Sequence, residues 1–203
     1  MSIKNKFLLI LILVLLPLVG VSQSDEKSNL FDISLRSGFS SYEVENLSKS
    51  IAVNYGAYIL KEIKLSDQNR INLGLGINNF QFDYVNSNQL DVNVQNSFIE
   101  LPIGFKRYVF DSEKKRAFVT EIGVVNRFKV DEDITSFPEI NIDKDFGYNL
   151  AYAVSLGYHT TINTKMDFSL GLIYSGDLFD SGYNNSNVID NQISIYFDFK
   201  FFN

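Results

Sequence analysis

Tyr148-Asn149-Leu150-Ala151-Tyr152-Ala153-Val154-Ser155-Leu156-Gly157-Tyr158-His159 alternates from end to end. Tyr148, Leu150, Tyr152, Val154, Leu156 and Tyr158 share one parity; Asn149, Ala151, Ala153, Ser155, Gly157 and His159 share the other. Successive side chains of a strand point to opposite faces, so the stretch is a strand with one large apolar face and one small, polar face. The apolar face carries no charge and has the length that a tilted strand needs to cross a bilayer.

The same period of two recurs on both sides of this strand. Phe31, Ile33, Leu35 and Phe39 stand against Asp32, Ser34, Arg36, Gly38 and Ser40. Ile51, Val53, Tyr55, Ala57 and Ile59 follow, and then Ile71, Leu73, Leu75 and Ile77. That third run slips phase at Asn78-Asn79 to Phe80, Phe82 and Tyr84, which reads as a bulge or as the strand leaving its buried zone. Ile99 to Phe105, Phe118 to Val124, Met166 to Tyr174 and Ile193 to Phe201 complete eight strands. Short turns are expected near Ser66–Asn69, Asp111–Lys115 and Thr160–Thr164. Longer polar loops are expected near Glu43–Lys49, Val85–Asp91, Lys129–Asp145 and Gly176–Asn187. Alternating short and long connections place all turns at one end of an up-and-down meander, the layout of an outer-membrane barrel.

Alternation leaves open which face points outward. A soluble barrel of the lipocalin type would turn the apolar face inward and bind a small apolar ligand there. Three features favour the inverted arrangement. The polar parity is built from Gly, Ala, Ser and Asn with few charges, too sparse for a solvated exterior. The apolar parity is continuous. Aromatic residues gather at strand ends, at Tyr42, Tyr84, Tyr108, Phe110, Phe128, Tyr148, Tyr158 and Tyr174, as interfacial girdles do. An open edge in lipid would leave backbone groups unpaired, so the first strand must pair with the eighth. Eight strands enclose only enough space for side chains, so no open pore is expected. The fold class expected is therefore all-β, an eight-stranded antiparallel up-and-down transmembrane β-barrel.

Upstream lies an address. Lys4 and Lys6 precede an apolar run from Phe7 to Val19, followed by Gly20-Val21-Ser22 and then a polar stretch. This reads as a secretory signal peptide over residues 1–22, cut after Ser22, with a tail at 23–29 and the barrel at 30–203. Cleavage would remove two lysines and no acid, deepening a net charge of −6 by two. A chain with 24 acidic and 18 basic side chains lacks the basic face of a nucleic-acid binder. With no cysteine it can form neither disulfides nor thiolate metal sites.

The stretch Ser97-Phe98-Ile99-Glu100-Leu101-Pro102-Ile103-Gly104-Phe105-Lys106-Arg107-Tyr108-Val109-Phe110, continued by Ala117-Phe118-Val119-Thr120-Glu121-Ile122-Gly123, resembles the outer-membrane β-barrel families of Bacteroidota, including PorT-like proteins and small barrels of the OmpA type. The motif spans about thirty residues, while the eight-strand pattern extends the likeness over nearly the whole chain after the leader. The resemblance implies an integral protein of the outer membrane with both termini periplasmic. Outer-membrane lipid and, during biogenesis, the barrel-assembly machinery would be its partners. A PorT-like relative would add a role as accessory to a secretion or transport system, and an envelope protein would then be a partner.

Arg36, Glu100, Lys106, Glu121, Asp198 and Lys200 all fall on the inward parity. Charges buried in a narrow lumen must be paired, so a structural ion-pair network is expected, with Glu100 or Glu121 near Arg36 or Lys106 across the lumen. A proton or ion path is the functional alternative. Pro102, lacking a donor, is expected at a bulge. His159 is the sole histidine and stands near Asp167 across a turn, but no nucleophile elbow accompanies it. The acidic segment from Asp131-Glu132-Asp133 through Glu139, Asp143 and Asp145 matches no EF-hand spacing and reads as solvated loop, as do Asn184-Asn185-Ser186-Asn187. The reading is thus of a non-enzymatic protein without catalytic residues, cofactor or metal, with a structural or surface-interaction role.

Overall fold

The computed structural model describes residues 29–44, 50–85, 91–136, 147–180 and 187–203. The expected leader, the Asn184–Ser186 stretch and residues 137–146 of the acidic loop lie outside the described residues. The strands are β1 (Asn29–Val44), β2 (Ser50–Lys64), β3 (Asn69–Val85), β4 (Asp91–Phe110), β5 (Arg116–Ser136), β6 (Tyr148–Asn163), β7 (Met166–Asp180) and β8 (Asn187–Phe202). Each pairs antiparallel with the next, and β1 pairs with β8, so the sheet closes on itself. Closure removes both sheet edges along the shared wall. Asn29 opposes Phe202, which places both ends of the barrel wall at the end bearing the short turns.

Those turns join β2 to β3, β4 to β5 and β6 to β7. The second is held by Asp111, whose Oδ1 accepts from the backbone N–H of Lys115 at 3.0 Å and of Arg116 at 3.3 Å. Lys114 turns the chain there with φ of 56°. The turn expected over Thr160–Thr164 is tighter than its sequence suggested: β6 runs on to Asn163 and the chain reverses over residues 164–165.

The polar parity faces inward. Ser34, Asn54, Asn72, Glu100, Arg127 and Ser194 are buried, while Ile59, Phe118, Ile122 and Leu156 stand exposed on the outside. Glu100 is 2% accessible and Ile122 is 63% accessible, the inverse of a water-soluble barrel. A calyx of the lipocalin type is therefore excluded, because its lining would have to be the face that lies outside.

Towards the loop end this polarity reverses on β3 and β4. Beyond Ile77 and Ile99 the outward positions become Asn79, Gln81, Asp83, Asn93, Gln95 and Ser97. Asn93 donates to Asp83 at 2.6 Å and Ser97 to Asn79 at 2.7 Å. Apart from Asn96, the inward positions become Phe80, Phe82, Val92, Val94 and Phe98, which pack with Ala52 and Ile189 as an apolar core. The phase slip at Asn78-Asn79 is thus not a bulge. The register of β3 with β2 runs unbroken from Ile71 to Gln81, and only the polarity of the two faces is exchanged. The other expected meaning, departure from the zone with an apolar outer wall, is what the strand does.

Pro102 likewise marks no bulge. The β3–β4 register is the same at Leu73–Ile103 and Gly76–Glu100, and the β4–β5 ladder passes Pro102–Val125 without a shift. The register shifts lie near the strand ends instead: at the loop end between Ser97 and Phe98, Leu150 and Ala151, and Ser41 and Tyr42, and at the turn end between Asn29 and Phe31 and between Thr161 and Asn163. The shift between Ser97 and Phe98 falls at the level where inner and outer polarity change on β4, where an extra residue of β5 re-aims the strand.

The outward aromatics form Phe128, Tyr148 and Phe179 at one level, with centroids of 5.1 Å and 6.1 Å about Tyr148. Phe118–Tyr158, Phe168–Phe199 and Phe31–Phe201 pair nearer the turn end. Tyr108 and Phe110, expected in the girdle, point into the lumen, because their even numbering places them on the inward parity with Lys106. The side chains of Tyr42 and Tyr84 lie outside the described residues.

Candidate functional site: the polar lumen

Two buried charge clusters fill the barrel. The one nearer the loops is built on Arg127 of β5. Its Nε donates to Glu100 Oε1 at 3.0 Å, Nη1 to Asp177 Oδ1 at 2.6 Å, and Nη2 to Ser175 Oγ at 3.1 Å and Gln192 Oε1 at 2.7 Å. Glu100 also accepts from Tyr58 Oη at 2.7 Å and Asn78 Nδ2 at 3.1 Å. Asp177 accepts from Asn149 at 2.6 Å and from the backbone N–H of Ile189 at 2.8 Å. One guanidinium thereby ties four strands, β4, β5, β7 and β8. Its planar fork of donors suits that task, where a lysine would offer one point charge.

The cluster nearer the turns is built on Glu62 of β2. Lys200 Nζ lies 2.6 Å from its Oε2, Lys106 Nζ 3.0 Å from its Oε1, and Arg70 Nε 3.5 Å from Oε2. Tyr108 donates to Glu62 at 2.7 Å and accepts from Lys200 at 2.8 Å. Lys106 reaches Glu121 at 3.6 Å and Asp198 at 3.7 Å. Asp32 opposes Lys200 in the β1–β8 ladder and is fully buried.

Five of the six expected lumen residues carry charges within these clusters, and the sixth, Arg36, meets the cluster nearer the loops only through the Tyr58 ring. Glu100, Lys106, Glu121, Asp198 and Lys200 are all charge-paired or facing a paired charge. The expected contact between Glu121 and Lys106 is present, but the two are direct neighbours in the β4–β5 ladder and do not span the lumen. Glu100 pairs with Arg127, also its ladder neighbour, and with neither Arg36 nor Lys106. Arg36 forms no ion pair among the described residues. Its guanidinium lies 4.0 Å from the centre of the Tyr58 ring and donates to Ser34 at 3.3 Å. The stack on an aromatic face replaces the carboxylate that the charge count suggested.

Glu62 and Arg127, the centres of the two clusters, do not stand out in the sequence. On β2 the inward parity passes through Tyr58 and Leu60 before Glu62, so the polar face seems to end at Gly56. On β5 Arg127 and Lys129 continue the inward parity into a stretch that reads as loop. Strict counting by two beyond the last glycine on each strand would have found both.

His159 accompanies the turn-end cluster. Its Nδ1 lies 3.0 Å from Ser169 Oγ and its Nε2 3.3 Å from Asp167 Oδ2. The three residue types of a hydrolytic triad are therefore in contact. Their surroundings do not support hydrolysis. All three are buried, the imidazole meets the Tyr108 ring edge-on at 5.2 Å, and Ser169 lies within the ladders with both β6 and β8. Backbone donors engaged in ladders cannot point at a developing oxyanion. Among the described residues no group of three or more His, Cys, Asp or Glu is arranged to hold a metal ion.

No protein-family model matches the chain, and no curated protein matches it. Among solved structures it is similar to Neisserial surface protein A, with a TM-score of 0.54, 10% identity, and coverage of 84% of this chain and 97% of that one. It is also similar to the outer membrane protein OprG from Pseudomonas aeruginosa, with a TM-score of 0.49, 16% identity, and coverage of 86% and 97%. Ail, the attachment invasion locus protein of Yersinia pestis, gives 0.44, 10%, 85% and 96%. The first of these likenesses establishes the fold: a closed eight-stranded antiparallel barrel.

Proposed function

We propose that this chain is an integral outer-membrane protein whose barrel is an anchor and not a conduit, and which acts through the end bearing the long connections. The observation that carries this reading is the paired inversion of polarity. The outer wall is apolar along its middle, and the lumen is occupied by the Glu62 and Arg127 clusters and capped by Phe80, Phe82 and Phe98. An apolar exterior is stable only in contact with lipid, and a closed barrel is the one sheet form that lipid tolerates. A lumen threaded by ion pairs leaves no continuous water path. With the short turns and both termini periplasmic, β3, β4 and β5 would rise above the membrane as a polar-faced extension with its own apolar core. That extension is a surface suited to a partner in the envelope.

The test is insertion. The purified chain should fold into lipid vesicles, migrate on gels in a heat-modifiable manner, and conduct no ions in planar bilayers. Ile122→Arg on the outer wall should cost about 2–4 kcal/mol of folding stability if that position lies in the bilayer, and almost nothing if it faces water. A second reading makes the protein a PorT-like accessory of a secretion system. The motif from Ser97 to Phe110 favours it. Deletion followed by comparison of the secreted proteins separates the two, because the anchor reading leaves secretion unchanged.

A further inference from the structure

The turn end of the outer wall carries cations that its own acids do not neutralise. Lys64 and Lys114 flank Asp67 at 3.1 Å and 3.5 Å, and Lys115 pairs with Glu113 at 3.1 Å, so these turn lysines have carboxylate partners. Arg107 of β4 and Arg116 of β5 differ. Both are exposed, both occupy outward positions, and neither forms an ion pair among the described residues. Arg107 opposes Thr120, and Arg116 opposes Thr160. Between the two arginines the wall is apolar: Val109 opposes Phe118, and Phe118 meets Tyr158 at 6.2 Å.

A guanidinium standing over an apolar wall lays its stem along that wall and sends its head to the nearest polar layer. The layer at this level of a membrane barrel consists of lipid headgroups. Guanidinium matches phosphate oxygens in a bidentate manner, and its long stem lets two arginines four strand positions apart converge on one phosphate. We propose that Arg107 and Arg116, reaching towards each other across the Val109–Phe118 pair, form a site on the outer wall for the phosphate of an anionic glycerophospholipid headgroup, its acyl chain lying along the apolar wall beyond them. Two unneutralised cations select a lipid of net negative charge over a zwitterionic one. The inference rests on the reading that the outer wall lies in lipid.

Native mass spectrometry of the folded barrel in an uncharged detergent, titrated with phosphatidylglycerol or phosphatidylcholine of matched chains, tests the site. Phosphatidylglycerol should bind roughly ten- to thirty-fold more tightly, the size of effect that two cations near a lipid surface supply. R107Q/R116Q should bring the two lipids to parity while keeping heat-modifiable migration. K114Q/K115Q, which alters equal charge in the turn, should retain the preference. The proposal is overturned by a parent barrel without preference, by a preference that survives R107Q/R116Q, or by one lost equally in K114Q/K115Q. Tighter binding of lipid A than of phosphatidylglycerol would also overturn it, by assigning the phosphate to a different lipid. Failure to fold into vesicles would remove the membrane reading itself, whereas a folded barrel without lipid preference removes only this site.

Discussion

Replacing Arg127 by Met isolates the energetic role of the cluster nearer the loops. The substitution keeps an unbranched stem of similar reach and removes four hydrogen bonds, to Glu100, Asp177, Ser175 and Gln192. Glu100 and Asp177 then lose their shared cation; their side chains are 2% and 1% accessible, so water cannot replace it without opening the barrel. Breaking one buried pair by removing a partner costs about 3–5 kcal/mol, and here two acids are stranded by one change. Hydrogen bonds from Tyr58, Asn78 and Asn149 still reach those acids and keep the cost near that range instead of twice it. A loss of about 3–5 kcal/mol is roughly a hundred- to several thousand-fold in the folding equilibrium. The assay is urea-dependent folding into vesicles, followed by heat-modifiable migration and tryptophan-independent circular dichroism. Adding E100Q and D177N to R127M should recover a large part of the loss, since the stranded charges are then gone. A single variant within about 1 kcal/mol of the parent, or a triple variant no more stable than the single one, would refute the view that this cluster is held by charge pairing.

Three further outcomes follow from the same structure. A methyl group at Gly157 would collide with the Tyr196 hydroxyl and crowd the Leu170 carbonyl, so Gly157→Ala should destabilise by about 1–3 kcal/mol and Tyr196→Leu in the same chain should relieve part of the loss, both read from urea midpoints. Phe98→Ala, in the apolar core at the loop end, should cost about 3–5 kcal/mol while leaving the turn-end cluster unchanged, as seen by hydrogen exchange at Glu62 and Tyr108. Asp67 in the β2–β3 turn is held below the ordinary carboxylate value of 3.8, chiefly by its hydrogen bond and attraction to Lys64 and then by Lys114. Any stabilisation it brings is therefore present above the unfolded-chain value and disappears as pH falls through the lowered one. An NMR titration of its carboxyl should give a midpoint below that of an Asp in an unstructured peptide, and Lys64→Gln should move the midpoint upward.

The architecture was legible because strand parity is a local property. Tyr148 to His159 shows both faces in the order of its residues, and the same holds at Phe118–Val124 and Ile193–Lys200. What parity could not show was a change of environment along one strand. At Asn78-Asn79 the inward face becomes apolar without any change of backbone, so an exchange of polarity looked like a slip of register. The lumen charges were legible as a set but not as pairs. Which acid meets which cation depends on strand stagger, and Glu100 found Arg127 because the β4–β5 ladder sets them opposite. Tyr108 reads as a girdle residue from its position near a strand end, yet its hydroxyl completes the Glu62 cluster. Its parity carried the correct answer, and its residue type obscured it.

The Glu62 cluster joins parts of the chain that are made far apart. Glu62 and Lys200 are separated by 138 positions, and Tyr108 and Lys200 by 92. None of β2, β4 and β8 is a ladder neighbour of another. A partly zipped sheet that lacked β8 would leave Glu62 without the ammonium group that lies nearest to it. The cluster thus registers the completion of assembly: the shortest ion pair to Glu62 and the bond from Lys200 to Tyr108 form only when the final strand has arrived and the ring is shut. Chains that stop before Lys200 would leave Glu62 to Lys106 and Arg70 and keep both edges of the sheet open.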